Sequence, residues 1–192
     1  VALVAPVLGS CGARIDPLVH APLRARDIPP IGASSRHHPG SLGAAVRAGR
    51  PIGRLRCGTT DGPHYGIHLE LFGAGQTIIV PAGIGIAPPR RVDGVYVRGG
   101  RCSYRLRTRE PTGVVEVRRG RVPTLGDFFT VWGQPLSAWR MAGWRGTVKA
   151  YVDGRRRHGD VRAIPLGRHV QVVLVVGPDV PVHRRYPFPP GL

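Results

Sequence analysis

Asparagine is absent from this chain of 192 residues, and lysine occurs once, at Lys149, among 28 basic residues. Both biases suit a GC-rich coding sequence, which favours arginine codons without any demand from function. They temper the net charge of +17, which alone would suggest nucleic acid as a partner. Aromatic residues make up only 6%, too few for a base-stacking platform, and the arginines are spread along the chain. Nucleic acid is therefore not the expected partner. Also missing are a Gly-x-Ser-x-Gly elbow, a His-Glu-x-x-His pair, a P-loop and any Cys-x-x-Cys. Their absence removes the usual hydrolase, zinc-protease, nucleotide and redox signatures. The 11 acidic residues form no marked pair, so an enzyme, a hydrolase of unspecified class, is only a second alternative.

What is present begins with an apolar run at residues 1–10, closing on Leu8-Gly9-Ser10-Cys11. It is too short for a spanning helix, which needs roughly 20 apolar residues. It suits the remnant of an export signal, and Leu8 to Cys11 resembles a lipobox. Cys11 is then the expected lipidation site, the membrane a partner through that lipid, and the location extracytoplasmic. Residues 11–56 are rich in Pro, Gly, Ser, Ala and Arg without a sustained period. They read as a flexible tether, with a short helical piece near Leu42–Arg47 and with His37-His38 as solvated linker.

One β-rich domain is expected from residue 57 to 192. Strand signals lie at His64–Phe72, Thr77–Val80, Arg91–Arg98, Cys102–Thr108, Gly113–Arg118, Thr147–Val152 and His169–Val176. Asp153-Gly154 is a turn pair, Arg155–His158 a solvated turn, and Pro178–Leu192 an extended proline-rich tail. Pro81-Ala-Gly-Ile-Gly-Ile86 has neither the third glycine nor the helix of a dinucleotide loop. Thr124 with Asp127 forms a weak capping box, and Leu125, Phe128, Phe129 and Trp132 make one apolar helical stripe. Gly133 and Pro135 stop it. The fold class is mainly β, an antiparallel sheet or sandwich, with one short α-helix near 125–132.

With Cys11 lipidated, Cys57 and Cys102 remain, and an exported protein usually joins such a pair. The alternative is two buried free thiols. In the first strand His64, Gly66, His68 and Glu70 share one face, and Tyr65, Ile67, Leu69 and Leu71 share the face to be buried. Arg105, Arg107 and Arg109 alternate likewise in the stretch Cys102–Glu110. If the two runs are neighbours, histidine, carboxylate and arginine gather on one side of a sheet. Three arginines at strand spacing need an offset, from Glu70, Glu110 or Glu116 or from a bound anion.

From Cys57 onward the pattern resembles a family of exported or membrane-anchored bacterial and archaeal domains of unknown activity. The resemblance is carried by His64–Phe72, Pro81–Ile86, Cys102-Ser-Tyr104, Thr112–Val115, Thr124–Ser137, Val148–Gly154, Ile164-Pro-Leu166 and Tyr186–Leu192. It implies a mainly β exported domain, with His-x-His-x-His in one strand and Trp-Leu-His-Thr-His-Asp in another as a metal site. Here Gly66 replaces the middle histidine, and Arg105, Arg107 and Arg109 replace the tryptophan and both later histidines. Arginine does not ligate metal. The expectation is a site turned basic, with Arg105, Arg107 and Arg109 binding an anionic ligand and no cofactor. The alternative is zinc or copper held by His64, His68, Glu70 and Glu110.

Overall fold

Residues 43–58 and 62–192 are described by a computed structural model. The expected signal remnant and most of the tether, including Cys11, His37 and His38, lie outside them. The described chain is mainly β, with two short helices and a single 3-10 turn at Val161–Ala163.

Strand β1 (His64–Gly73) is the centre of the main sheet. Toward the C-terminus follow β2 (Gln76–Ile78), β3 (Arg91–Asp93), β4 (Tyr96–Gly99), β5 (Leu106–Arg107), β6 (Val114–Arg118), helix α2 (Leu125–Trp132), β7 (Leu136–Ser137), β8 (Arg140–Met141), β9 (Trp144–Arg145), β10 (Val148–Val152), β11 (Arg155–Arg157) and β12 (Gln171–Val176). Helix α1 (Ala44–Ala48) precedes them all. The main sheet runs β11-β10-β12-β1-β6-β5, with β2 also paired to β1. Hairpin β3–β4 and meander β7–β9 are separate small sheets.

Alternation decides which face of β1 goes inward. Tyr65, Ile67, Leu69 and Leu71 are buried, and register places Val117, Val115, Val172 and Leu174 beside them on the neighbouring strands. These residues share one core with Phe128, Phe129 and Trp132 of α2. That helix starts as its sequence dictates: the Thr124 hydroxyl accepts from Asp127 N, and the Asp127 carboxylate accepts from Thr124 N. Gly133, in the left-handed conformation, ends it.

Four features differ from the sequence expectation. The β1–β12 pairing is parallel, so the sheet is mixed, because the chain returns to β12 through a long crossover containing α2 and the meander. The packed chain starts before Cys57: Val46 of α1 is fully buried, and the Tyr104 hydroxyl donates to the carbonyls of Ala45 and Arg50. Arg155–Arg157 form an exposed edge strand, because Asp153 and Gly154 both take positive φ and close a tight hairpin onto β10. The run Cys102–Thr108 is no continuous strand; only Leu106 and Arg107 join the sheet, while Ser103 bridges Gly58 and Ile86. The loop at Gly85 explains this last case. A Cβ there would lie 2.0 Å from Leu106 O, so backbone crosses backbone closely and the run divides its hydrogen bonds between two partners. The Cys57–Cys102 disulfide is formed and ties this region to the segment before β1.

Candidate functional site

The histidine run and the arginine run are not adjacent strands. β6 lies between them, and this places Glu116 in the middle of the row: Arg107 on β5 is opposite Glu116, and Glu116 is opposite Gly66 on β1. Val115 and Val117 point into the core, so Glu116 must share the outer face with Arg107, His64 and His68.

Glu116 holds two guanidinium groups. Arg107 Nε donates to Oε2 at 2.7 Å, and Arg109 Nε reaches the same carboxylate at 3.1 Å. One negative charge serves two fixed positive charges. The Arg107 side chain is 5% exposed, and its terminal nitrogens bond to no protein group among the described residues. Arg109 is committed further. It donates to the carbonyls of Val97 and Arg98 and lies over the Tyr96 ring at 5.6 Å, pinning hairpin β3–β4 beside the sheet.

These groups bound an open cleft of about 480 Å³, lined by His64, Tyr96, Arg98, Arg107, Arg109 and Glu116, with Gly191 and Leu192 on one wall. Arg98 is already paired with Asp93. Burial, reinforced by the Arg107 charge and opposed by Glu116, holds the His64 pKa below its ordinary 6.5. Its imidazole is neutral at pH 7, so the cleft's positive charge resides in the guanidinium groups. Hydrogen-bond donors of this kind suit a carboxylate or phosphate.

Arg105 is not in this cleft. It leaves the chain before the short β5 begins and donates to Arg118 O at 2.9 Å. Of the three arginines that strand alternation was expected to align, only Arg107 and Arg109 line the cleft, because residues 102–108 do not alternate as one strand.

Of the metal candidates only His68 and Glu70 are neighbours, with Nδ1 and Oε1 3.7 Å apart, and each is otherwise engaged. His68 is 5% exposed; its Nδ1 is 2.8 Å from Gln171 Oε1 and its Nε2 is 2.9 Å from Thr112 O. Burial lowers its pKa below 6.5, with Glu70 and the Gln171 contact opposing. A neutral ring donating from Nε2 to Thr112 needs a donor at Nδ1. Gln171 Nε2, which has no partner among the described residues, supplies it once the amide is turned over. Both ring nitrogens are then occupied. Glu70 faces His183, whose Nδ1 is 2.9 Å from each carboxylate oxygen. Glu110 sits near Tyr186, where burial first and the Glu110 charge second raise the phenol pKa. With Gly66 between them, His64 and His68 are about 13 Å apart along the strand at ~3.3 Å per residue. Among the described residues no three His, Cys, Asp or Glu side chains form a metal-binding group.

The outer face of β1 is covered by the C-terminal segment, a role that the proline-rich composition did not signal. Tyr186 stacks on His68 with ring centres 3.8 Å apart. Phe188 lies over Gly66 and stacks on His169 at 4.7 Å, and His169 Nε2 is 2.7 Å from Leu192 O. The only available hint was compositional: aromatic residues between prolines form a pre-extended segment that loses little entropy on docking. No family model, curated protein or solved structure matches the chain.

Proposed function

We propose that the protein is an extracytoplasmic, lipid-anchored binding domain whose cleft takes a small anionic ligand through Arg107 and Arg109. The observation that carries this reading is Arg107: a buried guanidinium with Nε on Glu116 and terminal nitrogens that bond to no group among the described residues, beside an open cleft. A second carboxylate or a phosphate completes the charge balance that Glu116 alone leaves incomplete. In this reading the chain is a histidine-depleted relative of the exported family it resembles, with anion recognition where metal ligation stood. Calorimetric titration with phosphate and with citrate tests it. Saturable binding that Arg107→Gln weakens at least tenfold supports the reading; no heat with any anion, at low ionic strength, rejects it.

A hydrolase is the second reading, favoured by one observation. His64, neutral, lines the same cleft as two guanidinium groups, an arrangement able to hold an anionic ester beside a base. Phosphomonoester and carboxylester turnover assays on wild type and His64→Gln decide it. Turnover lost in the variant supports the reading, and no turnover by wild type rejects it.

A further inference from the structure

The meander β7–β9 is at the opposite end of β1 from His64, with its Trp144 ring against Gly73. Register sorts its side chains into two rows. Leu136, Met141 and Trp144 are paired in sequence across the three strands, and Leu136 and Met141 are buried. Ser137, Arg140 and Arg145 form the outward row, and all three are exposed. Arg140 is directly opposite Arg145. Like charges so placed repel, and neither guanidinium meets a carboxylate among the described residues.

Trp139, in the β7–β8 turn, is 68% exposed. It is the only exposed aromatic side chain among the described residues. Its backbone is fixed. Trp139 N donates to Ser137 Oγ at 3.2 Å, Gly146 N to Trp139 O at 3.0 Å, and Val148 N to Ala138 O at 2.8 Å. The indole is therefore held outward by a structured turn.

We propose that this tip is a membrane-docking surface, with the Trp139 indole entering the headgroup layer of a phospholipid bilayer and Arg140 and Arg145 binding lipid phosphates. Indoles favour that layer because one part of the ring is apolar and the N–H stays wet. Guanidinium groups bind phosphate through two hydrogen bonds, and the anion relieves the Arg140–Arg145 repulsion. Shape selects a bilayer over other anions. Residues 137–140 are all exposed on a two-residue turn, a convex tip, whereas small ligands and sugars seek concave sites. Single-stranded nucleic acid stacks on successive aromatics, and here there is one. The inference does not depend on the cleft binding anything.

The test uses the full chain carrying Cys11→Ser, so that no acyl group contributes. Flotation with phosphatidylcholine vesicles, with and without phosphatidylglycerol, is read alongside tryptophan quenching by brominated lipid. Trp132 is buried and Trp144 is packed on Gly73, so quenching reports on Trp139. Binding to the mixed vesicles with quenching is expected. Arg140→Gln and Arg145→Gln should each weaken partitioning roughly fivefold, and Trp139→Ala should remove the quenching. Unchanged melting temperatures would show that the exposed substitutions leave the fold intact. Vesicle binding equal in all variants would overturn the proposal. So would wild-type protein that stays in solution with mixed vesicles, or that binds a sulfated glycan or nucleic acid through Trp139 instead.

Discussion

The Phe188 ring occupies the space that a side chain at Gly66 would need: a Cβ there would meet ring carbons at 2.7 and 2.9 Å and the Leu192 Cβ at 3.2 Å. The glycine at the centre of the histidine run is thus the seat of the C-terminal segment. Gly66→Ala should destabilise the fold by about 1–2 kcal/mol through overpacking. Phe188→Ala should cost about 3 kcal/mol. The double variant should cost less than the sum, because removing the ring makes room for the methyl group. Urea denaturation of all four proteins measures this; strict additivity would show that the ring and residue 66 do not compete for space.

Glu116 is the carboxylate that Arg107 and Arg109 share. Glu116→Gln should destabilise by about 3 kcal/mol, because a buried guanidinium loses its counter-charge. The same change should raise phosphate affinity, since two cations then face the cleft unopposed. Arg105→Gln should change stability by less than about 0.5 kcal/mol and leave anion binding unaffected. Equal effects of Arg105→Gln and Arg107→Gln on phosphate titration would contradict the division of the arginine run.

The disulfide closes a 45-residue separation between Cys57 and Cys102. Replacing both by serine should cost about 4 kcal/mol in the chain-entropy account, less any strain released. Mass spectrometry of the unreduced protein should show the linked peptides. Two thiols open to alkylation without reductant would oppose the pairing.

Folded-state pKa values of His64 and His68 lie below 6.5, in both cases chiefly through burial. The unfolded chain therefore binds protons more readily than the folded one as pH falls through 6.5. Stability should be level with respect to these groups above that pH, fall between 6.5 and the lowered folded values, and level again below them. Melting temperatures from pH 8 to pH 4, taken for wild type and His68→Gln, should show a shallower acid loss in the variant. Identical slopes would mean that His68 titrates alike in both states.

Much of this architecture was readable in the sequence wherever the signal was local. Alternation in Tyr65–Leu71 gave the buried face, Thr124 and Asp127 gave the start of α2, and Asp153-Gly154 gave a turn, though not the strand Arg155–Arg157 that follows it. Two remaining cysteines in a chain read as exported gave the disulfide. Signals failed where the partner was distant. Nothing near His64 announces that β6 will separate it from Arg107, and nothing in β12 states that it will run parallel to β1 a hundred residues earlier. The arginine trio failed for a backbone reason: Gly85 draws the chain away from regular pairing just before β5. The C-terminal segment was legible as extended but not as a cover, because its contacts are with single residues, Gly66, His68 and Glu70, on a strand at the other end of the chain.

The parallel pairing of β1 with β12 also sets the timing of assembly. Leu69 and Leu71 find Val172 and Leu174 only after about a hundred intervening residues, so the central contact of the sheet has a high loop-closure cost. A chain emerging from the N-terminus presents β1 long before its neighbour exists. Helix α2, with its own cap, can form early, but the apolar face of β1 has to wait. Nascent chains that have not yet exposed residues 171–176 should therefore stay open to protease and to holding chaperones, and a chain truncated before β12 should be digested where the full chain resists.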